Sequence, residues 1–296
     1  MDLKSRSLSS DYPDLKILKD WSLALPQFED KLKQIFSFQT KMHGASRITE
    51  AINYSLFSGG KRFRPMLSFA SCQALGKSFD HALSWAMAVE CIHTYSLIHD
   101  DLPCMDDDDV RRGQPTTHIK FDEATALLAG DALLTEAFGL LGESYNGHKN
   151  LGLLISLLSR RSGYHGMVSG QANDLSATNH DYALEEILSI HDQKTAGLIS
   201  AACVGPFIIY DQDSRTIQNI TELSYKLGLL FQLKDDFLDA DNEKENNLVQ
   251  SFGIDKTQMT YDSLKLDTEN IMLDLKSKLE FKPFRELLKY NDLRTK

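Results

Sequence analysis

Apolar positions recur at helical spacing through most of the chain. Ala86, Val89, Glu90, His93, Leu97 and Asp100 share one side of a helix that runs toward a group of aspartates. Leu223, Leu227, Leu230, Phe231, Lys234 and Phe237 do the same on the approach to a second group. Alternating strand patterns between Asn-Gly or Asp-Gly turns are missing. Gly59-Gly60, Asn146-Gly147 and Gly205-Pro206 cut the pattern into segments of helical length. Only seven prolines occur, and none lies between Pro115 and Pro206. With no linker, low-complexity tract or internal repeat, the pattern predicts one all-α domain, a bundle of about ten helices of ordinary length. Residues 1–20 read as a loosely held N-terminal extension and 21–296 as the folded domain.

Composition narrows the class without naming a function. The 296 residues are 42% hydrophobic and 9% aromatic, which excludes a disordered chain, a collagen-like repeat or a disulfide scaffold. A net charge of −10 argues against a nucleic-acid partner, since such proteins present a basic face. Six aspartates lie between Asp100 and Asp109 and four between Asp235 and Asp241. Without those two segments acids and bases balance, so the whole excess of negative charge is local. Cys72, Cys91, Cys104 and Cys203 are scattered without CxxC spacing, as expected of free thiols in a reducing compartment. The first residues lack the apolar run of a signal peptide. The longest mostly apolar stretch, Ala196 to Tyr210, is too short to span a bilayer. A soluble, cytoplasmic protein without stable membrane insertion is the expectation.

The acidic groups demand a cation. On a helix Asp235 and Asp239 are neighbours one turn apart, and like charges there are destabilising unless neutralised. Mg²⁺ characteristically takes one or two carboxylates and completes its shell with phosphate oxygens and water. In the first group Pro103 cannot donate a backbone bond to the carbonyl of His99, so the helix should break there. That break lets Asp106 return toward Asp100. Arg111 and Arg112 follow directly, and carboxylates beside arginines suit a polyanion gripped by metal on one side and guanidinium on the other. Internal pairing of acids with arginines, or a solvated acidic face, are the plain alternatives.

The run Cys91-Ile-His-Thr-Tyr-Ser-Leu-Ile-His-Asp-Asp-Leu-Pro-Cys-Met-Asp-Asp-Asp-Asp-Val-Arg-Arg-Gly113 resembles the first aspartate-rich motif of the short-chain trans-prenyltransferases, the polyprenyl synthase family. Bacterial farnesyl diphosphate synthases and the related geranylgeranyl diphosphate synthases are the nearest pattern. Gly59-Gly60-Lys61-Arg62-Phe63-Arg64-Pro65, Ala129-Gly130-Asp131-Ala132-Leu133, Gly170-Gln171-Ala172-Asn173-Asp174-Leu175, Lys194-Thr195 and Phe231-Gln232-x-x-Asp235-Asp236-x-x-Asp239 continue the match over roughly residues 50–240.

The resemblance implies the isoprenoid-synthase bundle with a central cavity, and Mg²⁺-dependent head-to-tail joining of isopentenyl diphosphate to an allylic diphosphate. It implies three Mg²⁺ bridging the allylic diphosphate, held by Asp100, Asp106 and Asp235 and supported by Asp101 and Asp239. Arg111 matches a grip on the allylic diphosphate; Lys61, Arg64, His93 and Arg112 match residues that hold isopentenyl diphosphate. Lys194, Thr195 and Gln232 match the groups near the developing cation. The final proton then goes to the departing diphosphate. The expected partners are small isoprenoid diphosphates and a second copy of the chain in a homodimer. Gln171 and Asp174 also fit an interhelical hydrogen-bonded pair.

Product length in such enzymes is limited below the first aspartate. Tyr95 is five residues before Asp100, about 7.5 Å down the helix, and Ser96 lies beneath Asp100 on nearly the same face. An aromatic floor there predicts a farnesyl product, with geranyl or geranylgeranyl diphosphate as alternatives. Departures follow the second motif. Gln250 stands where the family carries a lysine, and a second lysine is missing or displaced to Lys256. Ala196-Gly197 inverts the usual Gly-Ala order. Two lost phosphate contacts, each of roughly 1.5–3 kcal/mol, would weaken allylic binding. A low-activity regulatory subunit of the same fold and a terpene cyclase are the competing classes. Lys61, Arg64 and His93 argue against the cyclase, which binds one diphosphate.

Overall fold

The computed structural model describes residues 24–37, 42–177, 183–240 and 247–294. The extension expected at 1–20 lies outside them. The chain runs through α1 (Ala24–Ile35), α2 (His43–Phe57), α3 (Phe63–Ala74), a 3-10 turn at Asp80–Ala82 and α4 (Leu83–Asp100). A hairpin of β1 (Val110–Arg111) and β2 (Gln114–Pro115) precedes α5 (Thr117–Lys120) and α6 (Glu123–Ser144). Next come α7 (Leu151–Ser162), α8 (Met167–Ala177), α9 (Leu184–His191) and a π turn at Asp192–Ala196. The remaining helices are α10 (Gly197–Ile209), α11 (Ser214–Leu238), α12 (Leu248–Phe252), α13 (Ile254–Leu275) and α14 (Lys282–Leu293).

The all-α expectation holds, with corrections of detail. Fourteen α-helices stand among the described residues where about ten of average length are expected. The excess includes α5 and α12, four and five residues long, too short for a 3.6-residue period to register. The hairpin at 110–115 carries no alternating pattern because each strand is only two residues.

Helix α4 is buried on nearly every side, from Leu83 and Trp85 through Tyr95 and Ile98, and α10 is buried throughout. An α-helix apolar all round belongs in the centre of a bundle. Helix α6 packs along α4, and α10 packs against α3 and α11. The α4–α6 approach depends on Gly130, since a Cβ there would strike the His99 ring. The His99 Nε2 lies 3.0 Å from the Leu127 carbonyl oxygen of α6. Helix α6 is also long and apolar enough to cross a membrane, but Leu133, Ala137 and Leu141 are fully buried against the bundle. The architecture thus delivers the C-terminal end of α4 and the C-terminal end of α11 to the region reached by the π turn.

Candidate functional site

Helix α4 stops at Asp100, as Pro103 predicts, and the Asp106 amide donates to the Asp100 carbonyl at 2.9 Å. The chain therefore turns back and sets Asp106 beside Asp100. Burial pushes the Asp100 carboxyl up to about 7; Lys194 opposes this and Asp106 reinforces it. Burial raises Asp106 as well. Asp101 is buried and accepts from Arg111 Nε at 2.5 Å, while Arg111 Nη2 stands 3.5 Å from Asp108. Arg112 and Gly113 are the central residues of the hairpin, with φ of 53° and 72°. Two successive positive values are what a type I′ turn needs. Arg112 donates to the Gly59 carbonyl, and its guanidinium lies where a side chain on Gly60 would sit, 2.6 Å from an added Cβ.

The second wall is built differently. Helix α11 remains regular to Leu238, and Asp239 is its C-cap, donating to the Asp235 carbonyl at 2.9 Å. Asp235 is held up by burial, against the pull of Arg294. Arg294 Nη1 reaches Asp235 Oδ1 at 2.8 Å, Nη2 donates to the Phe231 carbonyl at 3.1 Å, and the guanidinium lies 3.9 Å from the Phe231 ring centre. Asp236 faces inward: it accepts from Gln232 at 3.3 Å and from the Leu248 amide at 3.0 Å. Asn247 donates to the Asp236 carbonyl and caps α12. In the segment that departs from the family pattern, Gln250 donates to the Ala240 carbonyl at 2.8 Å. Lys256 lies 4.4 Å from the Phe252 ring centre, where it stabilises α12 against α13. Lys256 is not among the charges acting on Asp235; Arg294 and Lys61 are.

The π turn joins the walls. A π bulge lets one turn present an extra residue, and such bulges concentrate at functional sites. Lys194 Nζ pairs with Asp174 Oδ2, and Thr195 donates to Gln232 Oε1 at 2.8 Å. Burial opposes the charge on Lys194, but Asp174, Asp100 and Asp106 more than offset it and raise its pKa. Gln171 does not pair with Asp174 directly: its amide oxygen and nitrogen are both buried without a partner. A circuit of interacting groups runs from Asp100 through Lys194 to Asp174, and from Asp174 to Asp236 beside Gln232.

On the other side, burial lowers Lys61, with Arg294 and Arg112 adding to it and Asp235 opposing. Arg64 falls to about 10 through burial and Arg112, against Glu90 and Asp235, and its Nε has no partner. His93 sits well below the ordinary histidine value because of burial and the arginines Arg64, Arg112, Arg111 and Arg62. Lys61, Arg64 and Arg112, with a neutral His93 among them, form a cationic lobe beside the acidic one. Tyr95 is buried one turn below, its ring edge-on to His99 with centroids 5.7 Å apart, and Ser96 donates to the His93 carbonyl.

The donors fit a hard cation. Asp100, Asp106 and Asp235 offer only carboxylate oxygen, and burial holds each of them above the usual carboxylate range, so an added positive charge stabilises their ionised form. Among the described residues no three His, Cys, Asp or Glu side chains are gathered tightly enough to hold a metal alone.

Arg294 and Asn247 escape sequence reasoning. Each acts on α11 across a chain separation that no local pattern records, and a single arginine near a C-terminus has no signature of its own. The π turn is equally silent, because its spacing imitates an α-helix.

A model of the polyprenyl synthetase family matches residues 45–261. A farnesyl diphosphate synthase of Micrococcus luteus is 49% identical over 212 residues, 71% of this chain and 72% of that protein. A geranyltransferase of Helicobacter pylori superposes with a TM-score of 0.85 at 33% identity, covering 96% of this chain and all of that one. The same organism's geranyltransferase complexed with magnesium and isoprenyl diphosphate superposes with a TM-score of 0.79, covering 95% of this chain and 96% of the other.

Proposed function

The chain belongs to the polyprenyl synthetase family, and from that premise we propose that it condenses isopentenyl diphosphate head to tail with dimethylallyl or geranyl diphosphate to give farnesyl diphosphate. The observation that carries this is the pairing of an acidic lobe with a separate cationic lobe. One diphosphate has to leave, and it needs metal. The other has to stay attached, and a nest of cations without metal holds it without ionising it.

Asp100, Asp106 and Asp235 hold Mg²⁺, with three ions as the working number. Mg²⁺ held there would supply Lewis-acid neutralisation of the leaving diphosphate. Arg111, oriented by Asp101, grips the allylic diphosphate. Asp239 caps α11 and supports Asp235 from below. Lys61, Arg64, Arg112 and His93 hold isopentenyl diphosphate; a neutral His93 serves there as a hydrogen-bond donor. Lys194 and the hydrogen-bonded Thr195–Gln232 pair present fixed dipoles to the developing allylic cation. The charge that Gln250 no longer provides is supplied by Arg294, already seated on Asp235. Tyr95 and Ser96 close the hydrocarbon channel. Residues 21–296 act as one catalytic domain, in the cytoplasm, as a homodimer. The half-exposed Leu127 and Leu128 on α6 are suitable for covering by a second copy.

The test is product analysis with Mg²⁺, isopentenyl diphosphate and geranyl diphosphate. A fifteen-carbon diphosphate is expected. Hydrocarbon formed from farnesyl diphosphate alone would identify a cyclase instead, and no turnover would identify a regulatory subunit.

A further inference from the structure

The Gly59–Pro65 run carries three cations, and the proposed site uses only Lys61 and Arg64. Arg62, between them, turns the opposite way and is 8% exposed. Its guanidinium is engaged on three sides. Nε and Nη2 donate to the two oxygens of Glu29 on α1 at 2.6 and 3.2 Å; Nη1 donates to Glu90 of α4 at 2.7 Å; Nη2 also donates to the Leu56 carbonyl at 2.6 Å. The Phe28 ring centre lies 5.9 Å away. The backbone at Arg62 is left-handed, φ 48° and ψ 34°, and its carbonyl accepts from Met66 in the first turn of α3. A non-glycine side chain is sterically strained in that region, and the fork holds the joint against it. Glycine would relieve the strain but could not make the fork.

The joint separates Lys61 from Arg64 and sets the direction of each. Its anchor, Glu90, is one turn before His93 on α4, and its charge acts on Arg64 and Arg112 too. One buried carboxylate thus ties the loop to the same helix that carries His93.

We propose that Arg62, clamped by Glu29 and Glu90, is a positioning residue that holds Lys61 and Arg64 in register with His93 and thereby sets affinity for isopentenyl diphosphate. The inference rests on the assignment of that lobe to isopentenyl diphosphate. Asp106 and Lys194 are mounted on other segments, and Asp100 lies at the far end of α4, ten residues beyond Glu90, so loosening the clamp spares the allylic half of the site.

Steady-state kinetics of Arg62→Lys, Glu90→Gln and Glu29→Gln, with Lys61→Ala as reference, test this. Arg62→Lys and Glu90→Gln are expected to raise KM for isopentenyl diphosphate about tenfold, with KM for geranyl diphosphate within about twofold and kcat within about threefold of the parent. Glu29→Gln, at the more exposed partner, should raise the same KM about threefold with the fold intact by circular dichroism. It decides the matter alone should Arg62→Lys not fold. Equal rises in both KM values, or losses of activity that merely follow loss of Tm, overturn the positioning role. If Lys61→Ala raises KM for isopentenyl diphosphate and the clamp variants do not, the inference fails and the site assignment stands. If Lys61→Ala leaves that KM unchanged, the site assignment fails and takes the inference with it.

Discussion

The two aspartate walls use the same residue type with different partners. At the first wall Asp100 and Asp106 lie side by side under a proline-induced turn, and burial lifts Asp100 to about 7. Arg111 ties up Asp101 and stands near Asp108, and Lys194 faces Asp100 and Asp106. At the second wall Asp235 already carries Arg294, and Asp236 is bonded to Gln232 and the Leu248 amide. The first wall sets buried carboxylates together against the charge of Lys194, and at the second the protein bonds Asp235 and Asp236 directly. Strain of that kind belongs where a ligand is to bind; satisfaction belongs where the scaffold must stay fixed while the ligand comes and goes. On the proposed reading, the charge absent at Gln250 in the loop after the motif is supplied to the second wall by Arg294, at a helix end.

The largest effect should come from the first wall. Asp100→Ala removes a proposed Mg²⁺ ligand; Lewis-acid stabilisation of a leaving group contributes several kcal/mol, so kcat should fall on the order of a thousandfold with the fold intact. A loss smaller than tenfold would erase the contrast between the walls. A middle effect is expected at the second. Arg294→Ala leaves Asp235 without its bonded cation and should raise KM for the allylic diphosphate about tenfold, with kcat changed less than about threefold. An unchanged KM would show that Arg294 does not replace the missing lysine.

The smallest effect concerns the turn between the walls. Burial lifts Asp192, the first residue of the π turn, to about 6, against the pull of Arg161. Its unfolded value is about 3.9, so the folded state prefers the protonated acid. The stabilising contribution is complete below about pH 4 and is lost as pH rises through about 6. Asp192→Asn should therefore gain Tm relative to the parent at pH 7.5, with the difference shrinking toward pH 4. A difference that does not vary with pH would contradict the burial of that carboxyl.

Much of the first wall is legible in the sequence because its causes are local. Pro103 ends the helix, Asp106 is close enough in the chain to return, and Arg111 and Arg112 follow at once. The second wall is legible only as a pattern on α11. Its partners, Arg294 and Asn247, arrive through tertiary packing. Lys256, the lysine of the altered segment, is diverted to the Phe252 ring. The helical period likewise finds α4 and α11 but cannot see the π turn, the two-residue strands or the buried fork of Arg62.

The central claim is that both walls share one metal–diphosphate. Calorimetric titration of Mg²⁺ with inorganic diphosphate into the parent, Asp100→Ala, Asp235→Ala and the double variant measures that directly. A shared ligand predicts that each single change removes most of the binding and the second adds little, a coupling of about 1 kcal/mol or more in the cycle. Losses that simply add would mean two independent sites and would contradict the account.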